Sequence, residues 1–286
     1  MFDPFLLLTP ILVLAVLALV RFIGCDVILG LERDPPQPPG ELKVLYGNER
    51  ITLSWGKSPN AAKYQIKQRD IPSGPYTNGL LVDAPRTASD DIFLPYNVTR
   101  YYMVISVNGD LESGPSNDVV VTGARPLVTQ VTYGTPGTSF DGWLGMVIDV
   151  KATALTVVAL GRVANNSVPH AVKIVDASGV DVPNGQVSVE PTSPITGEFR
   201  HENLELSVDL EANTTYFVVT HEVQNTDQHY EYDTVVRTQL EALVKGGVYQ
   251  DELAPGIYTR PGPPGEVQDD QSYGPVDILY HPRRPM

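Results

Sequence analysis

Cys25 is the single cysteine among 286 residues. No intrachain disulfide can form, and metal sites built on clustered cysteines are excluded. Basic residues are scarce too: 20 Lys and Arg stand against 34 Asp and Glu, a formal net charge of −14. So acidic a surface repels phosphates, which excludes a general nucleic-acid binder. Long soluble helices have little room, because 24 glycines and 25 prolines punctuate the chain. No nucleophile elbow, phosphate loop, dinucleotide fingerprint or zinc-protease motif occurs, and the five histidines are scattered without triad spacing. What the chain does have is 42% apolar residues, enough for a buried core and against general disorder. Short strands joined by turns are the expected architecture.

Charge is unevenly distributed. Residues 1–34 sum to −2, residues 35–126 are neutral with nine basic and nine acidic residues, and residues 127–286 sum to −12. All five histidines also lie in the last of these segments. A compositional step of this kind places a domain boundary near Ala124–Pro126, with the first body over 38–124 and the second over 127–282.

The N-terminal segment, 1–34, reads as a membrane anchor or a lipoprotein-type signal. Phe5–Val20 carries no charge and is broken only by Thr9 and Pro10. As a helix it would be ~24 Å long, short of a ~30 Å hydrocarbon core. Continuing it through Phe22-Ile23-Gly24, with Arg21 reaching the headgroups, makes a span. An apolar run with no amphipathic partner helix after it argues against a buried core helix. Three membrane readings follow: an uncleaved spanning helix, acylation at Cys25 after a lipobox-like Phe22-Ile23-Gly24, or a cleaved secretory signal. The last lacks the usual basic start, since Met1-Phe2-Asp3-Pro4 carries an acid. Arg21 and Arg33 beyond the run pull against export by the positive-inside tendency. A stiff, proline-rich linker, 35–40, then separates this end from the first body.

From residue 42 the apolar period becomes two. Ile51, Leu53 and Trp55 share a strand face, Tyr64, Ile66 and Gln68 another, and Tyr102, Val104 and Ser106 a third. About seven strands in some 85 residues, with a buried Trp and no cysteine pair, describe a small Greek-key sandwich. Pro38-Pro39, Ile51-Thr-Leu-Ser-Trp55, Tyr64-Gln-Ile66, Tyr102–Asn108 and Glu112-Ser-Gly-Pro-Ser116 fall in the order and spacing of fibronectin type III domains, and residues 38–124 resemble that family. The resemblance implies a non-catalytic spacer or binding platform. One departure is that the family's corner tyrosine falls at Arg100, with Tyr96 or Tyr101 as substitutes. Fold alone does not assign a function.

The second body keeps the same period. Leu144, Met146, Ile148 and Val150 oppose Trp143, Gly145, Val147 and Asp149, while Leu204, Leu206, Val208 and Leu210 read as a clean half-buried strand. With 155–160, 171–175, 215–223 and 276–280 this predicts an antiparallel sandwich of eight or more strands, jelly-roll-like. Trp143-Leu-Gly-Met146, Ala154–Val158, Pro169–Val175 and Leu210–Val219 resemble an uncharacterised β-sandwich domain of bacterial surface proteins. That resemblance brings no catalytic residues with it. The fold class is thus all-β, two tandem antiparallel sandwiches behind an N-terminal hydrophobic helix.

Two features suggest a ligand. If extended, Asp227–Asp233 sets Asp227, His229, Glu231 and Asp233 on one face, with Gln228, Tyr230 and Tyr232 on the other. Such a face suits Ca²⁺ only with help from a second segment, because alternate residues lie ~6.5–7 Å apart. A solvated acidic face opposite core tyrosines is the plainer reading, and no cofactor is required. Trp143 beside Asp141 is the other candidate, an outward indole able to stack on a sugar ring. The expectation is a membrane-tethered, non-catalytic surface protein, held through Phe5–Val20 or acylated Cys25, with its globular part periplasmic or extracellular. Its partners would be carbohydrate or protein. The alternatives are a glycan-processing hydrolase using acids of the second body, or a structural component of a cell envelope or phage particle.

Overall fold

A computed structural model describes residues 34–251, 258–261, 269–274 and 276–283. Phe5–Val20 and Cys25 lie outside them, and among the described residues no helix is long and apolar enough to cross a membrane. The strands of the first body are β1 (Lys43–Gly47), β2 (Arg50–Ser54), β3 (Lys63–Arg69), β4 (Thr77–Asp83), β5 (Ile92–Phe93), β6 (Thr99–Asn108), β7 (Leu111–Pro115) and β8 (Val119–Thr122). They form two antiparallel sheets, β1-β2-β5 and β4-β3-β6-β7, with β8 also pairing β6. Three strands facing five, with β7 and β8 sharing the edge beside β6, make the first body a fibronectin type III-like sandwich. The period-two pattern explains its core: Ile51, Leu53 and Trp55 meet Tyr64, Ile66, Tyr102 and Val104 between the sheets, all buried. The Trp55 and Tyr64 rings meet at 5.4 Å, tilted by 59°. Arg100, where the family's corner tyrosine would fall, instead pairs with Asp70 at 3.1 Å.

The second body contains β9 (Arg125–Pro126), β10 (Val128–Thr132), β11 (Pro136–Gly137), β12 (Gly142–Val150), β13 (Leu155–Val163), β14 (His170–Asp176), β15 (Asp181–Val189) and β16 (Ile195–Thr196). It continues with β17 (Phe199–Leu210), β18 (Thr215–Glu222), β19 (His229–Tyr230), β20 (Thr234–Thr238), β21 (Ala242–Asp251), β22 (Gln271–Ser272) and β23 (Val276–Pro282). One five-stranded sheet runs β15-β14-β18-β12-β21, the other β16-β17-β13-β23-β9. The pairs β12-β18-β14-β15 and β17-β13-β23-β9 follow jelly-roll order, and β21 extends the first sheet by one edge strand. A ribbon, β11-β19, and a small sheet, β10-β20-β22, flank this sandwich.

Strand β12 is covered on both sides. Met146 and Ile148 face the main core, while Val147 joins Val175, Phe217, Val219 and Val248 in a second apolar cluster on the outer side. Strand β17 is not a clean half-buried strand, because Leu206 is 60% exposed. Val208 pairs with Val157, but Asn203 pairs with Ala159, so Leu204–Ser207 oppose Val158 alone. Such a bulge breaks the alternation that would have put Leu206 inside.

Only Gly123 and Ala124 separate β8 from β9, so the bodies meet without a free linker. A Cβ on Gly123 would lie 2.0 Å from the Pro95 carbonyl oxygen, so this close crossing of chains requires glycine. Arg125 lies over the Tyr96 ring at 3.9 Å and donates to Glu241 at 2.6 Å. Tyr96 and Tyr280 hydroxyls donate to the same carboxylate at 3.3 and 3.0 Å. Burial alone would raise the Glu241 pKa, but its own backbone amide, the Tyr280 hydroxyl, the charge of Arg125 and the Tyr96 hydroxyl together hold it below its ordinary value. On the other side of the joint the Asn203 side chain grips β1, donating to the Val44 carbonyl at 2.7 Å and accepting from the Tyr46 amide at 3.3 Å. Tyr46 packs beside Ala124, Val158, Ala159 and Leu279. Tyr96, an alternative for the corner position, thus serves the joint between the two bodies.

Candidate functional site

At one end of the second sandwich, charged side chains enter between the sheets. Arg162 on β13 is fully buried and reaches across to Glu222 on β18. Its Nε and Nη2 donate to the two carboxylate oxygens at 2.9 and 2.8 Å, a bidentate pair. Nη1 donates to Asn165 Oδ1 at 2.7 Å, and Nη2 also to the Gln228 carbonyl at 3.1 Å. The Thr220 hydroxyl donates to Glu222 at 3.1 Å. His170 on β14 stands alongside, with Nδ1 2.8 Å from the His221 carbonyl oxygen and Nε2 3.1 Å from Asp227 Oδ2.

Asp227 is absorbed by this network. Its carboxylate accepts from the Ser167 amide and hydroxyl at 2.7 and 2.5 Å and from the Val168 amide at 3.0 Å. Burial would raise its pKa, but the Ser167 hydroxyl, the Val168 amide, His170 and the Ser167 amide together bring it down to about 2. The residue therefore ties the 164–169 loop to the 223–228 loop.

The rest of the segment does not stay extended, since only His229–Tyr230 is strand. Asp233 turns back and accepts from the Thr135 amide at 2.9 Å and the Thr135 hydroxyl at 2.8 Å. Those two bonds lower its pKa. His229 and Glu231 do share a side, Nε2 to Oε1 3.4 Å, with His229 buried and the Glu231 side chain 42% exposed. Both sit over Gly137, where an added Cβ would come within 2.7 Å of each. Glu231 is thus the acid of the segment whose carboxylate faces water while Asp227 and Asp233 are committed to backbone donors.

Around this pair runs a chain of rings, of which the extended spacing marked only Tyr230 and Tyr232. Phe140 meets His229 and Tyr249 edge-on, each at 6.2 Å. Tyr249 meets Tyr273 at 6.0 Å, and Tyr273 meets Tyr232 at 6.0 Å. Tyr230 packs on Tyr133 at 4.4 Å, and the Tyr133 hydroxyl donates to Glu198 at 2.7 Å. Tyr232 is not a core residue: it is 38% exposed at the end of the row. Burial, then the charge of Glu231 and the neighbouring tyrosines, pushes the Tyr273 hydroxyl up to about 12, so it keeps its proton at ordinary pH.

Trp143 lies elsewhere. It stands opposite His221 and Gln250, whereas its neighbour Leu144 stands opposite Tyr249. Alternation therefore points the indole away from the tyrosine row, across the sheet. The Lys173 ammonium sits 4.1 Å from its ring, held by Asp181 at 2.8 Å, and His221 meets it edge-on at 5.0 Å. Its inner edge packs on the outer apolar cluster together with Tyr258. Asp141 is exposed just before β12. Among the described residues no group of three or more His, Cys, Asp or Glu side chains is gathered closely enough to hold a metal ion.

Comparison with known proteins adds context. No family model matches the chain. An amylopullulanase of Thermoanaerobacterium thermosulfurigenes is 29% identical over 124 residues, which is 43% of this chain and 6% of that protein. Among solved structures, an Fn3-like protein from Clostridium thermocellum is 23% identical, covering 32% of this chain and 95% of its own, with a TM-score of 0.29. A two-domain fibronectin type III segment of chicken tenascin is 12% identical, covering 78% and 99%, with a TM-score of 0.28. The FN1–FN3 domains of chicken CNTN1 are 11% identical, covering 84% and 99%, with a TM-score of 0.29. What strand order and side-chain placement define is an all-β chain in which a fibronectin type III-like sandwich is fused to a second antiparallel body.

Proposed function

We propose that this chain is a non-catalytic module, tethered to a membrane at its N-terminus, that holds a glycan-binding jelly roll outside the cytoplasm on a fibronectin type III-like spacer. The joint carries this reading. Arg125, Tyr96, Glu241, Tyr280 and Asn203 fix one body on the other, and an oriented platform needs such a union. A flexible linker between independent domains would instead leave their relative motion free. The committed carboxylates of Asp227 and Asp233 also favour a binding role over acid–base chemistry in the segment. The partial match to an amylopullulanase supports a glycan as the ligand class. The apolar Phe5–Val20 run and Cys25 supply the tether, and modules of this kind working outside the cell outweigh the basic residues that flank the run.

One experiment on the full chain tests these parts together. Protease added to spheroplasts should remove both sandwiches and leave the N-terminal segment with the membrane. The released material should be retarded by neutral polysaccharide in a native gel and should liberate no reducing sugar from it. Full protection from the protease overturns the placement outside the cytoplasm. Release of sugar that Glu231→Gln abolishes overturns the non-catalytic reading in favour of a hydrolase.

A further inference from the structure

We propose that the tyrosine row beside β19 is a sugar-ring site, with Tyr232 as the stacking platform, Tyr273 and Glu231 as its hydrogen-bonding groups, and Tyr249 and Phe140 as its base. The proposal rests on the glycan reading above and adds the place and the ligand chemistry: the pyranose ring of an uncharged polysaccharide.

A pyranose offers a flat apolar face of C–H groups and an edge of hydroxyls. Its binding site therefore needs an exposed ring and adjacent groups that accept or donate hydrogen bonds. Tyr232 supplies the exposed ring and is braced from one side by Tyr273 at 6.0 Å. Tyr273 is braced in turn by Tyr249, and Tyr249 by Phe140, so the platform stands on a fixed row. The Tyr273 hydroxyl remains a donor because its proton is retained. Glu231 sits beside His229 over Gly137, and its half-exposed carboxylate accepts from vicinal hydroxyls. Gly137 beneath Glu231 keeps the space that any side chain there would fill. The body around this row carries −12, so polyanionic glycans are repelled and an uncharged one is selected. The indole of Trp143 does not offer an equivalent site, since Lys173 lies against its ring and His221 against its edge.

The test is affinity electrophoresis of the full chain in gels containing soluble starch, pullulan, mixed-linkage β-glucan or galactomannan. Tyr232→Ala should weaken retardation by the bound polysaccharide at least tenfold, and Glu231→Gln several-fold. Tyr232→Phe, which keeps the ring, should stay within about twofold of wild type, and Trp143→Ala should do the same. Melting curves of Tyr232→Ala that match wild type show that the loss is local. Binding that Tyr232→Ala leaves unchanged, or that Trp143→Ala abolishes, overturns this site while leaving the glycan reading in place. A wild-type chain retarded by none of the four polysaccharides overturns both.

Discussion

Arg162 offers the most discriminating perturbation of the fold, because the second body depends on a charge pair in its interior. Both partners are about 1% exposed, and the guanidinium spends two of its bonds on Glu222. Arg162→Met keeps most of the volume and removes the charge. Among the described residues, Glu222 would then keep the Thr220 hydroxyl at 3.1 Å and the more distant His170 Nδ1 at 3.6 Å. An ionised carboxylate left unpaired in a core typically costs about 3–5 kcal/mol. For a body of this size that corresponds to a fall of roughly 6–20 °C in Tm. The double variant Arg162→Met/Glu222→Leu removes the orphaned charge as well. Replacing a buried pair by apolar residues is often neutral or stabilising, so the double should recover most of the loss. A residue of about 1 kcal/mol should remain, since Asn165 Oδ1 loses its guanidinium donor at 2.7 Å.

The two tryptophans suit the assay, one in each body. In a Trp55→Phe background, urea unfolding followed by fluorescence reports Trp143 and hence the second body alone. Wild type, both single variants and the double then close a cycle. A double variant as unstable as Arg162→Met, or more so, refutes the reasoning, because the cost would then lie in lost packing and not in an uncompensated charge.

Trp55→Ala should destabilise the first body by about 3–5 kcal/mol, since the ring is buried and braced by Tyr64. A denaturation midpoint unmoved by that change would contradict the register of β2. Acid should act through Asp227: folding lowers its pKa from 3.8 to about 2, so the native state binds fewer protons than the unfolded chain between these values. Its contribution, at most about 2.5 kcal/mol, is complete above the unfolded value and disappears as pH falls toward 2. Asp227→Asn should flatten that part of the stability–pH curve, and parallel acid limbs for variant and wild type would refute it.

How much of this was legible in the residues depended on how local each signal was. In the first body Ile51, Leu53 and Trp55 follow one another on a single strand, and a strict period of two is enough to assign their face. Leu204–Leu210 shows the same period, yet Leu206 is turned out. The cause is a register shift against β13, and nothing within β17 itself records what its partner strand does. Alternation therefore predicts burial only where the partner runs in register.

The site failed to show for a related reason. Asp227, His229, Glu231 and Asp233 looked equivalent because extended spacing was assumed from 227 to 233. The chain is strand for two residues there, and the environments diverge on either side. Asp227 falls among the donors of Ser167, Val168 and His170, and Asp233 among those of Thr135, each some 60 to 100 positions away in the chain. Glu231 lies 3.4 Å from the buried His229 imidazole and keeps its side chain 42% exposed. Phe140, Tyr249 and Tyr273 carry no motif at all and become neighbours only through long-range pairing: Tyr249 lies on β21 opposite Leu144 of β12, Phe140 stands two residues before β12, and Tyr273 follows β22. Residue type thus marked the acids as candidates, and long-range pairing decided which one remained free to meet a ligand.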